Sequence, residues 1–118
     1  MKKFDLEDRL IDYAISISEI VDRIDNSKLG SYISGQIIRS GSSPALNYGE
    51  AQSAESNNDF IHKLQIVLKE LRETFVALKI IKHAALHPDT NLINETLSEN
   101  NELISIFVSS INTIKKKR

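Results

Sequence analysis

Apolar residues recur along most of the chain at spacings of three and four, the period of one face of an α-helix. Leu6, Leu10, Tyr13, Ile17, Ile20 and Ile24 form a first stripe, and Phe4, Ile11, Ala14 and Val21 form a second beside it. This pattern predicts a helix over about residues 4–26 with a wide apolar face. A second helix opens near Ser27 or Lys28 and aligns Leu29, Ile33, Ile37, Pro44, Tyr48 and Ala51 on one side, before the polar run 52–58. A third, N-capped by Asn57 or Asn58, places Phe60, Leu64, Val67, Leu71, Leu78 and Ala85 in one stripe, with Ile81 at its edge. Ile61, Leu68 and Phe75 give that helix a second stripe, and His87-Pro88 stops it near Leu86. A fourth opens at Asp89-Thr90 and carries Ile93, Leu97, Asn100, Ile104, Phe107, Ile111 and Ile114 in strict alternation of four and three. Four helices with short connections in one domain, residues 1–118, predict an all-α, antiparallel up-and-down four-helix bundle.

Two positions break the pattern. Pro44 sits inside the second helix, where it has no N–H to donate to the Ser40 carbonyl and its ring crowds that carbonyl. The helix is expected either to kink at Ser40–Pro44 or to stop and restart with Pro44 in a first turn. Asn100 holds a seam position suited to an apolar residue. It either fixes register from within the core or lies on a solvated helix end.

Composition narrows the function classes. The 118 residues include no cysteine, which excludes disulfides, thiolate metal sites and cysteine nucleophiles. Fifteen basic against sixteen acidic residues give a net charge of -1, which argues against a strongly basic nucleic-acid binder while leaving room for a local patch. No apolar run approaches the length of a membrane span, and acids follow Lys2-Lys3 where a signal peptide needs apolar residues. The expectation is a soluble, cytoplasmic protein. The double stripes of the first and third helices either widen the core or bury against another subunit.

Candidate chemistry is sparse. His83 and His87 are one turn apart, but zinc needs three or four ligands, so a pair of surface histidines is the simpler reading. Glu70 and Glu73 lie three apart and Glu50 ends the polar part of the second helix, without the Glu-x-x-His pairs of di-iron bundles. A structural role fits better: a carboxylate holding Arg39, or side chains of Ser40, Ser42, Ser43 and Asn47 serving backbone groups near Pro44. No serine sits in a nucleophile elbow. No catalytic residue, metal ligand or cofactor is therefore expected. Charge is uneven: residues 1–27 carry four basic and seven acidic groups, residues 57–88 five and three. Lys79 and Lys82, with Lys115, Lys116, Lys117 and Arg118 of the tail, form either a phosphate-contacting patch or ordinary solvated faces.

The stretch Gln36-Ile37-Ile38-Arg39-Ser40-Gly41-Ser42-Ser43-Pro44-Ala45-Leu46-Asn47-Tyr48-Gly49-Glu50-Ala51 resembles the signature of the bacterial four helix bundle proteins, also called 23S rRNA intervening-sequence proteins. That signature reads Gln-x-x-Arg-Ser-Gly-x-Ser, a short link, then Asn-x-x-Glu-Ala. Asp59-Phe60-Ile61-His62-Lys63-Leu64 and Lys69-Glu70-Leu71-Arg72-Glu73-Thr74 continue the match. Leu71 departs from it where relatives often have alanine, and Phe75-Val76-Ala77 where an aromatic-Trp-Leu run is common. The resemblance implies an up-and-down bundle that assembles into a ring-shaped homopentamer. It also implies that Arg39, Ser42, Asn47, Glu50 and Glu70 form the polar cluster used for packing or function. Some similar proteins are accessory factors of diversity-generating retroelements, in which a basic pentamer contacts nucleic acid and reverse transcriptase. This chain lacks that basic excess.

Overall fold

Each helix begins where a short polar side chain accepts a hydrogen bond from the amide three residues ahead, satisfying a donor that the helix itself leaves free. Asp5 accepts from the Asp8 amide, Ser27 from Gly30, Ser56 from Asp59 and Asp89 from Leu92, all at 3.0–3.1 Å. The computed structural model describes residues 5–117. It contains α1 (Leu6–Val21), α2 (Lys28–Ala51), α3 (Asn57–His83) and α4 (Thr90–Lys116), with no strand among the described residues. Phe4 of the predicted second stripe and Arg118 of the basic tail lie outside them. Among the described residues, no helix is long and apolar enough to cross a membrane.

Consecutive helices pack antiparallel, α1 on α2, α2 on α3 and α3 on α4, and α1 closes more lightly against α4. α1 and α3 stand at diagonal corners, without close backbone approach. The core takes Leu10, Ile17 and Ile20 from α1, Ile37 from α2, Leu64, Leu71, Leu78 and Ile81 from α3, and Leu103 and Phe107 from α4. Tyr48 meets Phe107 edge to face, ring centroids 5.8 Å apart. Arg9 ties α1 to α4 through Glu99 at 2.6 Å and Glu102 at 3.3 Å.

α2 runs without interruption through Pro44, so the stop-and-restart form does not occur. Side chains on either side supply local hydrogen bonds. Ser42 donates to the Ile38 carbonyl at 2.7 Å, and Asn47 donates to the Ser43 carbonyl and hydroxyl at 3.0 and 2.8 Å. The proline ring is buried, and the neighbouring Gly41 lets α1 come close: a Cβ there would lie 2.7 Å from the Ile17 side chain.

Several predicted bounds shift, each for a local reason. α1 ends at Val21 rather than near residue 26. There the Arg23 and Ile24 amides turn to carbonyls three residues back, and the Asp25 amide donates to Leu86 O at 2.8 Å, across to the α3–α4 connection. Ser56, in an extended conformation, caps α3 instead of Asn57 or Asn58. Leu29 is 44% exposed, and Gly30 takes the buried place beside it. On α4, Leu97 and Ile104 are only partly buried, while Thr96 and Leu103 face inward.

α3 ends at His83, three residues short of Leu86. The Ala85 amide bonds to Lys82 O and the Leu86 amide to Ile81 O, with Ala85 at φ 53° between them. This is a Schellman ending, in which a left-handed residue closes the helix and the next apolar side chain folds back onto the core. Leu86 is buried accordingly. Alanine is strained at a left-handed position that glycine adopts freely. Ala85→Gly is therefore expected to raise stability by about 1 kcal/mol, measured by urea unfolding at fixed protein concentration. No gain would mean that this turn is not strained.

Candidate functional site

The motif-bearing face of α2 gathers the polar residues into three separate arrangements rather than one cluster. Arg39 reaches across to α3, where its Nη1 lies 3.1 Å from both Glu70 carboxylate oxygens and its Nη2 pairs with Glu73. Glu70 is nearly buried at 9% exposure, so this cation is its main compensation. Ser42 and Asn47 turn back onto their own helix backbone. Glu50 pairs with Lys63, nearly two turns into α3. The charged residues of the motif are thus held in ion pairs between α2 and α3.

A second polar arrangement lies inside the core and draws one side chain from each helix. Asn100 of α4 donates to the Tyr13 hydroxyl of α1 at 2.6 Å and to the Leu71 carbonyl at 3.0 Å. Tyr13 also meets Thr74 of α3. Thr74 lies 2.8 Å from the Ser40 hydroxyl of α2 and donates to the Glu70 carbonyl at 2.9 Å. Burial holds the Tyr13 phenol protonated by raising its pKa well above the ordinary value. Asn100 is therefore buried rather than solvated, and its Oδ1 has no hydrogen-bond partner among the described residues. Ser40 and Thr74 carry the same sequence signal as Asn100: each continues an apolar stripe, after Ile33 and Ile37 in α2 and after Val67 and Leu71 in α3.

The histidines part company. His83 is exposed on α3, whereas His87 is buried in the α3–α4 connection. His87 Nδ1 accepts the Asp89 amide at 3.0 Å. Burial and the nearby Arg23 charge push its pKa below the ordinary imidazole value. The pair of surface histidines read from the sequence is thus corrected to one exposed and one buried. Among the described residues, no three His, Asp or Glu side chains are placed to hold a metal ion.

The basic residues do not converge within one chain. Lys79 and Lys82 lie in the last turns of α3, and Lys115, Lys116 and Lys117 end α4, which runs the other way. Leu71 faces Asn100, so the two groups stand at opposite ends of the bundle, roughly 35 Å apart at 1.5 Å per residue.

The profile of the 23S rRNA-intervening sequence protein family matches residues 2–109. The chain belongs to this family. It is also similar to a solved protein of unknown function, from the S23 ribosomal protein family of Bacteroides thetaiotaomicron VPI-5482. The two superpose with a TM-score of 0.82 at 29% identity, over 91% of this chain and 98% of the other. No curated protein matches the chain. The motif that carries the resemblance pairs α2 with α3 through Arg39, Glu70 and Glu73.

Proposed function

We propose that this protein is a non-enzymatic, homo-oligomeric scaffold of the cytoplasm, assembled in the ring-shaped homopentamer that its family resemblance implies. The observation that carries the reading is a set of large apolar side chains left outside the core. Ile11, Ile15, Leu29, Tyr32, Ile38, Leu46 and Val76 are 39–67% exposed. They concentrate on the outer sides of α1 and α2, with one on α3. Scattered apolar residues are normal on a surface, but repeated ones on neighbouring helices favour burial against a partner. The neutralised motif supports the non-enzymatic part, because its charged groups hold α2 to α3 and leave none free for acid-base work.

Native mass spectrometry of untagged protein is expected to give one closed species that is a whole multiple of 13.3 kDa, five chains under the pentamer reading. A monomer at micromolar concentration would overturn the proposal. Nucleic-acid association draws less support, since Lys79 and Lys82 stand apart from Lys115–Lys117. Co-purified nucleic acid in the same spectrum, lost as salt is raised, would promote it.

A further inference from the structure

The outer strips of α1 and α3 complement each other residue by residue. On α1 and its C-cap residue, Asp12, Ile15, Glu19 and Asp22 are all exposed and fall on one strip at spacings of three, four and three. On α3, Lys69, Arg72, Val76 and Lys79 are all exposed at the same spacings. The order on α1 is acid, aliphatic, acid, acid. The order on α3 is base, base, aliphatic, base. Laid antiparallel, Asp12 meets Lys79, Ile15 meets Val76, Glu19 meets Arg72 and Asp22 meets Lys69. Laid parallel, the aliphatic residues face charges, so one orientation satisfies all four positions. Among the described residues, none of the six charged groups is engaged in an ion pair, unlike Arg9, Arg39 and Lys63. Ile15 and Val76, at 54% and 56% exposure, would each find an apolar partner.

We infer that the α1 strip of one copy docks antiparallel on the α3 strip of a second copy. The inference rests on the self-association proposed above and names its surfaces. The occupant follows from charge complementarity: each strip needs the sign and spacing that the other carries. α1 and α3 occupy diagonal corners of the bundle, so each copy offers one strip to each of two neighbours. Such a head-to-tail contact closes into a ring when its rotation allows, whereas a self-complementary contact stops at two copies. Four aligned ion-pair and apolar contacts would fix both register and direction.

The test is a charge swap read by native mass spectrometry and light scattering on full-length protein. Arg72→Glu and Glu19→Arg are each expected to weaken assembly roughly tenfold or more, because each places like charges opposite one another. The double variant, with both swaps in one chain, is expected to recover it. Raised salt is expected to weaken the wild-type assembly. An assembled wild type whose single variants stay assembled, or whose double variant stays apart, overturns this inference and leaves the scaffold reading standing. A monomeric wild type overturns both.

Cross-linking gives a second reading that does not depend on charge. The chain has no cysteine, so Ile15→Cys with Val76→Cys introduces the only thiols. Oxidation is expected to give a ladder of covalent oligomers from the double variant and none from Ile15→Cys alone. Covalent dimers from the single variant would mean that α1 meets α1. If the α3 swap left assembly intact but abolished salt-sensitive binding of a polyuridylate oligonucleotide, the strip's occupant would be nucleic acid and the inference would fail.

Discussion

Gly30→Ala is expected to destabilise the protein by about 3 kcal/mol, while Gly35→Ala and Gly49→Ala each stabilise it by about 0.5–1 kcal/mol. All three glycines lie in α2, so helix propensity alone predicts the same small gain at each. Their surroundings decide otherwise. A Cβ on Gly30 would lie 1.8 Å from the Asp25 carbonyl oxygen, which is backbone and does not rotate away. Relief would require the α1–α2 connection to lift, together with the bond from the Asp25 amide to Leu86 O. A Cβ on Gly35 or Gly49 meets nothing within 4 Å. Urea unfolding at one fixed protein concentration reads all three, since assembly would otherwise shift the midpoints. Equal effects at the three sites would mean that the close approach at Gly30 is not present in solution.

Asn100→Asp is expected to cost about 3–5 kcal/mol at neutral pH, although it changes only an amide to a carboxylate. The amide donates to Leu71 O and to Tyr13, and an ionised carboxylate has no proton to give the Leu71 carbonyl. Burial would raise the new acid's pKa in the folded state above its unfolded value of about 3.9. The folded state would then hold a proton that the unfolded state releases, so the variant's stability should rise as pH falls toward that value. The wild type depends on pH in the opposite sense. His87 has a lowered folded pKa, so the unfolded state binds the extra proton and stability falls as pH drops below about 6.5. Denaturation of both proteins at pH 7 and pH 5 separates the two slopes. A variant that loses stability in parallel with the wild type would count against a buried carboxylate.

The four helices were legible because their stripes are long and regular, and the starts of α2 and α4 were readable from Ser27 and Asp89. The ends of α1 and α3 were not. Ile24 and Leu86 continue their apolar stripes after the helical hydrogen bonds have stopped, and periodicity reports which side faces inward, not how the backbone is bonded. Of the motif, the Arg39–Glu70 pair was anticipated as a carboxylate holding the arginine. The core layer was half visible: Asn100 stood out, but Tyr13 looked like any aromatic stripe residue. Their pairing spans 87 positions, and no local pattern reports a contact at that separation. Ser40 opens a run of small residues, Ser40-Gly41-Ser42-Ser43, and Thr74 follows the charged Arg72-Glu73, so neither reads from its neighbours as a core position.

The polar layer also affects how the interior packs. It crosses the bundle near mid-length, with Ile20, Ile81 and Ile93 toward the end that holds the α3–α4 connection. Leu10, Leu64 and Phe107 lie toward the other end. Hydrogen-bonded side chains from all four helices stand between these two ends and are fixed by their partners. A void opened on one side therefore has little freedom to relax into the other. Truncations such as Ile81→Val and Leu64→Ala, made on opposite sides, should combine additively, whereas pairs within one end should show coupling. The interior is thus one continuous apolar core carrying a polar layer at mid-length, and its two ends stand far enough apart to answer separately for their own packing.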